Sequence, residues 1–331
     1  MAFTGPVAKA TTQILLEDLV SFAVANAGFT DEGAISSGAP GHTDLFRISK
    51  GGMYWWFNGT TASISGYGTI GVIQCRMGKF LPTVATMFTA GDAQQYYCEM
   101  TTWSVTTGPY IAANMFSDGT NVFLALETLS GVYSHLAFGK ITKFGSWTGG
   151  EYLTAHCQRY YNVTSGWSEV TQANFLFEAG TGNPITQSQV IYYPINSYGD
   201  YRDYWRVGNA FSADSERNHK MQVLPYTRLT DSFTSYYTRY CINGAIQWAS
   251  PCNIGGRAPI GPMYVQVPEP IVNAYYTIGL IENVGVVRVD NLNAGDIVDV
   301  DWQVFPAVRK SGDDFTSPIT QGVGYAFKRI A

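Results

Sequence analysis

The chain is short of charge. Asp, Glu, Lys and Arg make up 14% of its 331 residues, where soluble domains ordinarily carry about 25%. A surface that met only water would hold more, so much of this one is expected to face protein. Basic residues number 20 against 25 acidic ones, for a net charge of −5. No basic cluster exceeds the pairs Arg309-Lys310 and Lys328-Arg329, which excludes the electrostatic footprint of a nucleic-acid binder. No apolar run approaches the length that spans a bilayer, and the opening MAFTGPVAKATTQ has no apolar signal core. Neither membrane insertion nor secretion is expected.

Cysteine is scarce and badly placed for a framework. The five residues, Cys75, Cys98, Cys157, Cys241 and Cys252, are odd in number, widely spaced and without a CxxC pair, which argues against stapling disulfides and zinc. Buried free thiols made in a reducing cytoplasm are expected, with a single Cys241–Cys252 bridge left open.

Reactive constellations are missing as well. No Gly-x-Ser-x-Gly element occurs, and GTIGVIQ and GTGNP lack the spacing and Lys-Ser/Thr ending of a phosphate loop. His156 and Cys157 are neighbours, but strand neighbours point to opposite faces and could not share a proton. His42 and Asp44 could line one strand face, yet no third ligand is nominated. Paired carboxylates occur at Asp200 and Asp203, beside Arg202 and Arg206, and at Asp290, Asp296, Asp299 and Asp301. The first set reads as a surface network. The second reads as a hairpin whose Ile297, Val298, Val300 and Trp302 face inward. Asn58-Gly-Thr60 and Asn162-Val-Thr164 match the glycosylation pattern idly. No catalytic, metal-binding or cofactor-binding residue is nominated, no cofactor is expected, and the chain does not read as an enzyme.

What is abundant is aromatic and glycine. Aromatics reach 15%, with 22 Tyr against 4 His, and 35 Gly and 14 Pro punctuate the chain. Tyr and Phe suit the half-buried surface of a sheet. One helix stands near the start, in TTQILLEDLVSFAVANAGFT: Leu15, Leu19, Phe22 and Ala23 share a face, flanked by Leu16, Val20 and Val24. Thr11 or Thr12 caps it and Gly28 stops it. Short strands follow, with Asn58-Gly59 and Asp118-Gly119 as hairpin signals. SPCNIGGRAPIGPMYVQVPEP has too much Gly and Pro for regular elements.

The expected fold is therefore mainly β (α+β): an N-terminal helix packed on an antiparallel β-sandwich or barrel, with a large irregular insertion. Residues 1–30 form an arm and the helix, the arm ordering only on a neighbour. Residues 31–153 begin the β core, 154–270 form a loop-rich insertion or subdomain, and 271–331 complete the core with β hairpins.

The segment YSHLAFGKITKFGSWTGGEY, residues 133–152, is costly in shape and poor in reactive groups. Gly139 lets the strand bend or another chain pass close. Lys143 points away, Phe144-Gly145 begins a corner, and Trp147 lies between Gly145 and the pair Gly149-Gly150, so its ring can rest on bare backbone.

This segment resembles a recurrent element of tailed-bacteriophage virion proteins, a tail- or baseplate-associated group with an FGxIxKxGxWxGG pattern, carried here by Phe138, Gly139, Lys143, Gly145, Trp147, Gly149 and Gly150. LLEDLVSFAVANAGFT is similar to the opening helix of that group. AGDIVDVDWQVFPAVRKSG, with Trp302, Phe305 and Pro306, and the later GVGYAFKRI are similar to its closing hairpin and final strand. The resemblance implies a non-enzymatic structural component of a tailed phage particle, in the tail or baseplate, acting through symmetric contacts with copies of itself and other virion proteins. Its implied location is the virion, assembled in the cytoplasm of the bacterial host. Two alternatives stay open: a neck or capsid-surface protein, and a module binding host-surface carbohydrate. For the latter, Tyr201, Tyr204, Trp205 and Trp167 are the candidate interface or glycan contacts.

Overall fold

Spacing of apolar residues at three and four positions makes Thr12–Ala27 a helix, α1, which follows a first strand, β1 (Ala2–Lys9). Thr11 is its N-cap, its hydroxyl accepting from the Ile14 amide at 3.2 Å. Gly28 ends it in the left-handed conformation, φ 65°. The computed structural model describes residues 2–64 apart from 39, 68–78, 81, 83, 96–102, 108–146, 152–160, 172–174, 189–192, 204–207, 220–223, 259–269, 274–289, 291–307 and 323–329.

A five-stranded antiparallel sheet follows the helix, formed in order by β2 (Thr30–Asp31), β3 (Phe46–Lys50), β4 (Met53–Ile64), β5 (Gly68–Gly78) and β6 (Tyr96–Thr102). The remaining strands enter a larger, fifteen-stranded sheet. It includes β7 (Tyr110–Ser117), β8 (Val122–Leu129) and β9 (Val132–Lys140), which follow β1 at one edge, succeeded by β10 (Thr142–Lys143), β11 (Tyr152–Tyr160) and β12 (Gln172–Asn174). Then come β13 (Gln189–Tyr192), β14 (Tyr204–Val207), β15 (Lys220–Val223), β16 (Ile260–Glu269) and β17 (Ala274–Arg288). The chain closes with β18 (Ile297–Val298), β19 (Trp302–Pro306) and β20 (Val323–Lys328). The order runs β1-β7-β8-β9-β11-β13-β14-β15-β16-β17-β20-β19-β18, with β10 on β17 and β12 on β11. Only β14 and β15 pair in parallel among the described strands.

Strands β7 to β9 are buried on both faces, which is why VFLAL reads as an unbroken apolar run, and even Asn114, Ser134 and His135 are buried. One face, with Met115, Leu124, Leu126, Leu136 and Phe138, joins the core with α1 and with Trp55, Phe57 and Ile73 of the small sheet. The other meets the last strands of its own sheet: Phe116 stacks on Phe327 at 5.0 Å, and Tyr133 meets Phe305 at 5.7 Å. The expected helix on antiparallel β layers is thus present, and the described strands do not close into a barrel.

Several expectations are corrected. Asn58-Gly59 is no turn; both residues lie inside β4, and Asn58 is fully buried. Gly59 serves close approach instead, since a Cβ there would stand 2.9 Å from the Thr43 methyl group. The turn before it is Gly51-Gly52, both at positive φ. The N-terminal segment is not an arm awaiting a neighbour, because β1 pairs with β7 of the same chain. The Gly- and Pro-rich stretch contains β16, whose Pro262 sits where the ladder to β17 breaks and no amide is needed. The hairpin β18–β19 exists, but Val300 is 95% exposed at its tip and Ile297 is exposed, so only Val298 and part of Trp302 turn inward. Asp118-Gly119 does turn β7 into β8, with the Asp118 carboxylate accepting from the Thr120 and Asn121 amides at 2.8 and 2.6 Å.

Candidate functional site

The segment around Gly139 is a junction. Phe138 is fully buried between Phe29 and Phe57, with ring centroids at 5.5 and 4.9 Å. Gly139 has φ 140°, and a Cβ there would meet Asn121 Oδ1 and stand 2.7 Å from the Thr120 carbonyl. Another stretch of chain therefore does pass close by, namely the β7–β8 turn, which accepts the Lys140 amide on Asn121 Oδ1 at 2.6 Å. Beyond this kink Ile141 is buried, and Thr142 and Lys143 leave β9 to pair with Leu280 and Gly279 of β17. Gly145, φ 94°, then turns the chain, leaving Phe144 exposed. Trp147, Gly149 and Gly150 lie outside the described residues.

The opposite face of this junction holds the C-terminal strands. His135 of β9 is completely buried, and its Nε2 lies 2.9 Å from the Pro306 carbonyl oxygen. A carbonyl only accepts, so Nε2 carries the proton. Burial lowers the His135 pKa to about 4, against a smaller opposing effect of the Pro306 bond. Tyr325 and Phe327 flank the imidazole at 5.1 and 5.9 Å, and Phe305 and Pro306 are buried. This histidine is a packing group, neutral across the physiological range.

A second feature lies on β16 and β17. Pro262 pairs with Gly285 and Met263 with Ile281, so Glu282, Asn283 and Val284 have no partner on β16, although Val284 pairs with Phe327 of β20. Asn283 stands at φ 61°. The β18–β19 turn approaches the same place with Asp299 at φ 48° and Val300 at φ 76°. Between them opens a cleft of about 710 Å³ whose lining includes Pro259, Ile260, Glu282, Asn283, Asp299 and Trp302. Trp302 is half-buried and packs with Ile260 against Val287, Val298 and Val304. The sequence had Trp302 as a buried structural residue; the structure places it at this opening. The signal available was the turn Asp299-Val300-Asp301, a tight connection built without glycine or asparagine.

The other candidates scatter. Asp44 accepts from Gln13 Nε2 at 3.1 Å, and His42 Nε2 lies 3.3 Å from the Thr60 hydroxyl, so both fasten loops. Among the described residues no three His, Cys, Asp or Glu side chains gather as a metal site. Asp296 accepts from the Asn293 amide at 2.7 Å, and Asp301 is 3.7 Å from Lys328. Cys75 is fully buried. Tyr204 and Trp205 fall on β14, where the backbone alone is described, and Tyr201, Trp167, Asp200, Asp203, Asp290, Cys241 and Cys252 lie outside the described residues. No described helix is long and apolar enough to cross a membrane.

Compared with known proteins, the chain matches no family model and no curated sequence.

Proposed function

We propose that this protein is a non-enzymatic structural component of a tailed phage particle, placed in the tail or baseplate and acting through contacts with copies of itself and other virion proteins. One observation carries the reading. The three segments that bear the resemblance are far apart in sequence yet pack as one unit. Helix α1 lies on one face of β7–β9, the Phe138–Lys143 junction lies within it, and β19–β20 cover the other face. A resemblance scattered by chance has no reason to converge in space. Two polar groups of that unit are committed to holding the fold: His135 Nε2 holds the Pro306 carbonyl, and the Asn121 side chain bridges Asp118 and the Lys140 amide.

The test is composition. Particles are purified from lysate of a host carrying the phage that encodes this chain, and their proteins are quantified by mass spectrometry. The chain is expected in a fixed ratio to the other tail components through successive gradients. Its loss from particles during purification would overturn the proposal.

A further inference from the structure

The cleft between β17 and the β18–β19 turn is built from two backbone departures. Three residues of β17 with no partner on β16 form an enlarged bulge, a device that re-aims side chains beside functional sites. Opposite, a β-branched residue at positive φ is a rare conformation with a real energetic cost. Both departures line or flank one opening of about 710 Å³, within the size range of ligand sites. Strain retained on two sides of a single cleft points to use.

We infer that this cleft binds a neutral saccharide. Trp302, Pro259 and Ile260 offer flat or apolar surface to the C–H face of a pyranose ring, whose slightly positive hydrogens suit the negative face of an indole. Glu282 and Asp299 accept hydroxyl hydrogens, and the Asn283 amide both donates and accepts, matching what a sugar hydroxyl does. None of the described lining residues is Lys, Arg or His, so an anionic ligand would meet two carboxylates and no counter-charge. A simple cation would use the carboxylates but would leave the apolar wall and the amide donor idle. These residues differ from the tyrosines and tryptophans that sequence alone nominated for glycan contact, and the inference is independent of the virion reading.

The whole chain is titrated with maltotriose, galactotriose and triacetylchitotriose, and separately with tri-lysine, by saturation-transfer NMR and calorimetry. At least one trisaccharide is expected to bind, with affinity falling about tenfold or more in Asp299→Asn and in Trp302→Leu and unchanged in Asp31→Asn on β2. Should Trp302→Leu disturb the fold by near-ultraviolet circular dichroism, Asp299→Asn and Glu282→Gln decide alone, since both groups are at the opening. Absence of binding by all three sugars, binding indifferent to the cleft variants, or preference for tri-lysine would overturn the inference. None of those outcomes touches particle composition, so the two readings fail separately.

Discussion

At the residue scale, two glycines and one histidine define how this chain is held. Gly139 combines positive φ with a neighbour that leaves no room for a side chain. Gly139→Val is expected to cost about 3 to 5 kcal/mol, joining backbone strain to overpacking. Gly131, also at positive φ but with nothing near its missing Cβ, isolates the conformational part: Gly131→Ala should cost about 1 kcal/mol. Urea unfolding midpoints compare the two directly, and equal losses would mean that the close approach of the β7–β8 turn contributes nothing. His135 makes a pH prediction. Its pKa falls from 6.5 to about 4 on folding, so between those values the unfolded chain binds the extra proton. Stability from this group is complete above about pH 6.5 and drains away toward pH 4. His135→Leu should flatten that part of the stability–pH curve, and an unchanged slope would place the titration elsewhere.

Among elements, legibility in the sequence followed the uniqueness of each signal. The helix was readable because its period, its Thr11 cap and its Gly28 stop all agreed. The Asp118-Gly119 turn was readable because the aspartate has its own local role there. Asn58-Gly59 misled because a glycine admitting a neighbouring threonine and a glycine making a turn look identical in one dimension. The prolines of β16 misled because a ladder break on the partner strand, invisible locally, is what tolerates Pro262. Lys50 could not be anticipated at all. From the end of β3 its ammonium donates to the Ala27 carbonyl at the C-terminus of α1, and lies 3.3 Å from the Gly119 and Thr120 carbonyls. A cation there suits the helix dipole. Lys50→Met is expected to lower stability by about 1 to 2 kcal/mol, with amide exchange accelerated in both the last helical turn and the β7–β8 turn. Acceleration in only one of them would show that the lysine does not couple them.

Across the whole molecule, the fold makes β7–β9 a central layer with the start of the chain on one side and its end on the other. Phe3 of β1 packs tilted against Phe116 at 4.9 Å and carries Arg329 over its ring at 4.4 Å, so β1 and the residue that follows β20 meet. The fold class was legible from composition and turn spacing. This doubling of layers was not, because runs such as VFLAL are equally compatible with any strand covered on two sides. The cleft at Trp302 stayed hidden for a related reason: it exists only where a bulge and a turn distant in sequence come together. The central claim, that the chain works as a repeated building unit of a particle, is tested most directly by an electron-microscopy reconstruction of the purified particle with this fold docked into it. The account predicts density for the three-layer unit repeated by the symmetry of the tail or baseplate, with copies in contact. A complete reconstruction with no density that this fold fits would contradict it.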